Sequence, residues 1–206
     1  MKKHKSKYKS DKAKIYLLIL GSKNPPILQK LKCWIINFGI HCVTVLRLGQ
    51  FAYNLFKKNK VIGIFPFMIF YILNFWIKVI HHVDISYKSE IGPGFYLSHS
   101  QNIWIGAVTM GSNCTIHHNV TIGTDPSQNE YKVPSIGNNV WIGPGAIVTG
   151  DIKIGDDTVI SAGTVLSKDI PERCLVAGNP GRIITRDYDN SNIVTMPEFK
   201  IDKKEK

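Results

Sequence analysis

Aliphatic residues recur every six positions through the second half of the chain. Ile136, Ile142, Val148, Ile154, Ile160 and Leu166 hold the phase without a slip. Upstream, Ile85, Ile91, Leu97 and Ile103 keep the same step, and Met110, Ile116 and Ile122 resume it after a one-residue change of phase. A helix repeats every ~3.6 residues and a strand every ~2, so neither explains a run of this length. Short strands separated by turns do, each sending one aliphatic side chain inward. One such strand buries too little to be stable. Coils stacked about 4.8 Å apart line the side chains into columns and pair the backbones. Gly137, Gly143, Gly155 and Ser161, each after an aliphatic position, suit tight corners. The pattern predicts a parallel β-helix over residues 83–186, making the chain mainly β.

Residues 25–82 are patterned differently. Val43, Leu46, Leu48, Phe51, Ala52 and Leu55 fall on one helical face, which predicts an apolar α-helical segment before the repeats. Within it, VIGIFPFMIFYILNFWI (Val61 to Ile77) carries no charge over seventeen residues. That is the lower limit for a membrane span, and Pro66 and Asn74 argue against spanning. The leading expectation is a helix buried against the rest of the protein or in an oligomer. A helix lying on a membrane surface comes second and a true span third. His81 and His82 read as a helix end. Thr124 to Ser135, TDPSQNEYKVPS, breaks the six-residue period and predicts an excursion loop, where function concentrates. Residues 187–206 read as a tail.

Charge adds a partner question. The net charge is +11 over 206 residues, and MKKHKSKYKSDKAK alone holds seven lysines and one aspartate. Residues 1–24 are therefore expected to be a basic, solvated, disordered arm, with contact to anionic lipid as the alternative. No nucleic-acid motif accompanies the charge, so no nucleic-acid partner is expected. Cys33, Cys42, Cys114 and Cys174 are far apart and form no CxxC, so no zinc site or disulfide framework is suggested. No cleavage pattern follows the short apolar run Ile15 to Leu20. The expected location is cytoplasmic, at the inner face of the membrane if the apolar helix touches lipid.

The segment GNNVWIGPGAIVTGDIKIGDDTVISAGTVLSKDIPERCLVAGNPGRII (Gly137 to Ile184), ending in Ala177-Gly178-Asn179-Pro180-Gly181-Arg182-Ile183, resembles the hexapeptide acyltransferase superfamily. The resemblance covers roughly residues 82–186. It implies a left-handed β-helix, a homotrimer, and acetyl-CoA lying in a groove between subunits. VDISYKSEIGPGFYLSHS (Val83 to Ser100) resembles the serine acetyltransferase branch, in which an Asp precedes a catalytic His by the fifteen positions that separate Asp84 from His99. The resemblance implies that His99 is the base and Asp84 its partner. Acetyl transfer to a hydroxyl needs a base near neutral pH, and a carboxylate behind the imidazole holds its tautomer. His117 and His118 are rival bases or acceptor contacts. For the thioester, the resemblance points to Gly123, Ala162 and Gly178, with Lys168 and Arg182 for phosphates.

The acceptor is where the sequence departs from that branch. Ser98 stands where the branch has an Asp, and Lys132-Val133 precedes Pro134 where it has Arg-His. Those residues hold the charged groups of serine, and losing them removes much of the charge complementarity for a zwitterion. Ser98, His117, His118 and Lys132 are the candidate acceptor contacts. The shorter, apolar helical segment resembles that of acetyltransferases of surface-polysaccharide synthesis. The leading expectation is thus O-acetylation of a sugar hydroxyl. Serine O-acetylation is the alternative, and a non-catalytic β-helix scaffold is a third reading.

Overall fold

From Val83 onward the chain winds into a three-sided prism. The computed structural model describes residues 2–125, 127 and 132–195. The first face stacks β1 (Val83–Ile85), β4 (Ile103–Ile105), β7 (Thr121–Gly123), β10 (Ile147–Thr149) and β13 (Val165–Leu166). The second stacks β2 (Glu90–Ile91), β5 (Thr109–Met110), β8 (Ser135–Ile136) and β11 (Lys153–Ile154). The third stacks β3 (Tyr96–Leu97), β6 (Thr115–Ile116), β9 (Trp141–Ile142), β12 (Val159–Ile160) and β14 (Leu175–Ala177). All these pairings are parallel, and β15 (Arg182–Thr185) closes the third face by turning back antiparallel on β14. The expected parallel β-solenoid is thus present. Ile116, Ile122, Ile142, Val148, Ile160 and Leu166 are fully buried in its axial columns.

Two devices hold the corners. Asn113, Asn139 and Asp157, at φ 61°, 53° and 55°, share one edge of the prism in successive coils. Short polar side chains tolerate this left-handed region better than most residues. They also bond up the edge: Asn113 Nδ2 donates to Asn139 Oδ1, and Asn139 Nδ2 to Asp157 Oδ1, both at 2.9 Å.

The phase change falls in a different place from that suggested by the sequence. Leu97 pairs with Ile116 and Ile105 with Ile122, so eight residues span a corner that the next coil turns in six. From Ile105 to Met110 the chain takes five residues where Ile85 to Ile91 takes six. Two residues gained and one lost read in the sequence as a single slip. Ile103 therefore registers with Val83, and Ile105, not Ile103, continues the column of Ile85.

Helices cover the lower end of the prism. α1 (Lys2–Leu20) replaces the expected disordered arm. The reason is the lone acid: Asp11 is fully buried and accepts from Arg47 Nε at 2.7 Å, Arg47 Nη2 at 3.2 Å and the Phe95 N–H at 2.9 Å. Lys14 adds bonds to Asn113 O (2.8 Å) and Thr115 Oγ1 (3.0 Å). Its basic sequence thus contains the groups that dock it. Of the expected tail, Ser191–Thr195 forms a short helix α5, and residues 196–206 lie outside the described part.

α2 (Ile27–Ile36) starts after Pro25-Pro26. α3 (Phe38–Lys58) is capped by Asn37, whose side chain accepts from the Ile40 N–H, and α4 (Lys60–His81) by Asn59, which accepts from Ile62. α4 ends at His81, with His82 in the left-handed conformation. α3 is sandwiched between the solenoid and α4. The expectation that Val61–Ile77 would be buried fails in the single subunit. Only Gly63, Phe70, Ile77 and His81 of α4 are buried, as one stripe against α3.

Candidate active site

The edge where the third face turns into the first carries most of the chemistry. In successive coils it is formed by Ser98–Asn102, His117–Asn119, Gly143–Gly145, Ser161–Gly163 and Gly178–Pro180, linked by backbone bonds such as Gly145 N to His118 O and Gly163 N to Pro144 O. The widened turn places His99 here, exposed, at φ 48°. The two additional residues push the imidazole outward from a corner that is elsewhere tight.

Three histidines gather at this corner because His99 occupies it in one coil and His117 and His118 occupy it in the next. The ring of His99 lies 6.4 Å from that of His117 and 5.9 Å from that of His118, and His117 leans on Trp141 at 4.7 Å. The rivals of the sequence reading are thus neighbours. His118 Nδ1 is buried with no hydrogen-bond partner among the described residues. Asp84 lies on β1, opposite Trp104, and its carboxylate is ion-paired with Lys78 at 2.8 Å. No hydrogen bond joins it to His99 in this subunit. Both members of that ion pair are nearly half exposed, so the attraction is worth about 0–1 kcal/mol and is readily exchanged.

The remaining candidates divide between two edges. Ala162 and Gly178 lie on the His99 edge, three and four coils above it, so Ala162 is roughly 14 Å up the prism. Both are exposed, and a Cβ at neighbouring Gly163 would meet nothing within 4 Å. This bare strip fits a thin thioester arm lying against the backbone. Arg182 is exposed on β15, next to that strip. Gly123, the last residue of β7, and Lys168, two residues beyond β13, lie toward the other edge of the first face. Gly123 is not open to a ligand as expected: a Cβ there would collide with the ring of Trp104, so its small size serves packing. Ser98 also requires correction. It is fully buried, with its N–H bonded to Ile116 O, so its side chain is turned away from an acceptor. Lys132 is on the excursion at the far edge and ion-pairs with Asp151 at 3.1 Å.

One feature escaped the sequence. A cleft of about 780 Å³ opens beside His99, between the solenoid and helices α1 and α2. Leu20, Cys33, Ile36, Phe38 and Tyr96 give it apolar walls, and Lys32, Asn37 and Gln101 are polar points on them. These residues are far apart in sequence, and no local pattern joins them. Among the described residues, no group of three His, Cys, Asp or Glu side chains is placed to hold a metal.

Comparison with known proteins bears on these groups. Residues 134–168 match the sequence profile of the bacterial transferase hexapeptide family (six repeats). The chain is 30% identical over 166 residues to a serine acetyltransferase of Helicobacter pylori (strain ATCC 700392 / 26695), covering 80% of this chain and 92% of that one. It is 36% identical over 110 residues to a serine acetyltransferase of Synechococcus elongatus, covering 53% of this chain but 45% of the relative, so it spans less than half of that protein's length. Among solved structures, the serine acetyltransferase of Brucella abortus strain S19 in complex with coenzyme A superposes with a TM-score of 0.70 at 26% identity, over 87% of this chain and 67% of that one. Soybean serine acetyltransferase complexed with serine gives 0.70 at 25% identity, over 89% and 70%. The expectation of a sugar acceptor and of polysaccharide synthesis is overturned by these relatives. It rested on the residues at Ser98 and Lys132-Val133 and on the short apolar helical segment, and Ser98 is fully buried.

Proposed function

We propose that this chain, which belongs to the serine acetyltransferase branch of the hexapeptide-repeat transferases, moves an acetyl group from acetyl-CoA to the hydroxyl of L-serine. The observation that carries the reading is His99, exposed on a widened corner between an open cleft and a bare strip of small residues.

His99 removes the proton as the serine oxygen attacks the thioester carbonyl. The tetrahedral intermediate collapses, the carbon–sulfur bond breaks, and the same imidazolium returns the proton to the CoA thiolate. The products are O-acetylserine and CoA, with no acyl-enzyme. Asp84 stabilises the imidazolium by leaving its exposed partner Lys78, an exchange that costs little. Ala162 and Gly178 line the path of the pantetheine arm, and Arg182 meets a phosphate.

The carboxylate of serine needs a cation. Lys32 lines the cleft beside His99. Lys132 and Lys168 lie across the first face and reach such a site only from a neighbouring subunit. That division supports a homotrimer in which each groove uses two edges.

The test is to identify the product. With acetyl-CoA and L-serine, mass spectrometry should find O-acetylserine in step with released CoA, and Asp84→Asn should lower kcat while leaving KM for acetyl-CoA in place. Release of CoA without O-acetylserine would reject the reading.

A further inference from the structure

The helices leave a large surface uncovered. Twenty of the twenty-three exposed large apolar side chains among the described residues lie on α2, α4 or the first turn of α3. Phe65 is 72% exposed and Ile72 59%. A single patch of this kind marks an interaction site in a soluble protein. The two helices form one surface, because ring contacts join them: Trp34 to His41 at 4.8 Å, His41 to His81 at 6.3 Å, and Phe38 to His81 at 4.8 Å.

Charge decides what covers it. Residues 12–83 contain ten Lys and Arg and not one Asp or Glu. Lys57, Lys58 and Lys60 are exposed around the apolar face. A second copy of the face would set lysine against lysine with no acid to pair them. An anionic lipid surface offers both what the apolar side chains need and what the lysines need. Trp34 and Trp76, both about half exposed, suit the boundary between headgroups and hydrocarbon.

The geometry also fixes the orientation. α4 is long and apolar enough to cross a bilayer, but it is bound lengthwise to α3. A Cβ at Gly63 would collide with the backbone of Phe56, and one at Gly49 with the ring of Phe70, so the two helices touch closely along their length. α3 in turn holds the buried Arg47–Asp11 pair against the solenoid. A crossing α4 would pull that pair into hydrocarbon. We propose that the α2–α4 face docks the protein onto an anionic membrane, with α4 lying in the plane of the surface over its length of about 33 Å.

The proposal does not depend on the catalytic reading. Full-length protein is floated with phosphatidylglycerol-containing vesicles and with pure phosphatidylcholine vesicles, at low and high salt. It should float with the anionic vesicles, more weakly at high salt, and be released by alkaline carbonate. Trp fluorescence should shift to the blue on binding. Lys57→Gln with Lys58→Gln, which leaves the apolar face intact, should weaken binding by roughly 30-fold. Phe65→Glu with Ile72→Glu should abolish it while the circular dichroism spectrum is kept. Recovery of all protein in the soluble fraction would overturn the proposal. So would resistance to carbonate, which means a span, or a self-associated particle that Phe65→Glu and Ile72→Glu dissociate, which means a second copy covers the face.

Discussion

Replacing Asp11 by Asn tests the docking of the helices most sharply. The carboxylate is fully buried, and Arg47 is 4% exposed. Asp11 accepts three hydrogen bonds, two from Arg47 and one from the Phe95 N–H four residues before His99. Asn keeps the shape but removes the charge and turns one acceptor into a donor facing a donor. The guanidinium then retains only neutral acceptors, Gln50 Oε1 at 2.9 Å, Ile91 O at 2.8 Å and Gly92 O at 2.5 Å. Removing one partner of a buried ion pair costs about 3–5 kcal/mol, against a whole-domain stability of about 5–15 kcal/mol. Urea titration followed by circular dichroism should therefore show about a fifth or more of the stability lost. Arg47→Met added to Asp11→Asn should recover part of it, because the stranded charge is gone. A loss below about 1 kcal/mol for the single variant, well short of that range, would refute the idea that this pair fastens α1 and α3 to the solenoid.

Other outcomes follow from the same contacts. Burial pulls the Lys14 ammonium from 10.5 down to about 8. Below about pH 8 both folded and unfolded chains hold the proton. Between there and 10.5 the folded chain has shed it first, so the Lys14 contribution to stability rises with pH, by about 3 kcal/mol. Cys42 and Cys114, pushed up by burial to about 12 and about 11, act in the opposite direction. The difference between the parent and Lys14→Met isolates the lysine, and a difference that stays flat over that window would be contrary. Asn139→Ala loses two edge hydrogen bonds and strains a residue at φ 53°, whereas Asn139→Gly loses only the bonds. The alanine variant should be the less stable by about 1 kcal/mol in thermal unfolding, reversing the usual order of these residues.

The coils were legible because their signal is local: each inward aliphatic residue marks its own strand. The corner bearing His99 was partly hidden, since its two added residues and the residue missing after Ile105 nearly cancel in the sequence. His117 and His118 were visible as candidates, but their gathering with His99 comes from stacking, which only the register fixes. Asp11 was read as part of a solvated arm because its partners lie 36 and 84 positions away. The apolar run of α4 was clear, while its exposure depends on which stripe α3 takes. The acceptor was misjudged because the charge missing at Ser98 was counted as a lost contact, at a position whose side chain is buried.

The central claim is tested most directly by the rate of CoA release from acetyl-CoA with L-serine, compared between the parent chain and His99→Asn. The account predicts serine-dependent release that falls by about 10²–10⁴-fold in the variant, with the fold intact. Equal rates in the two proteins, or no dependence on serine in the parent, would contradict it.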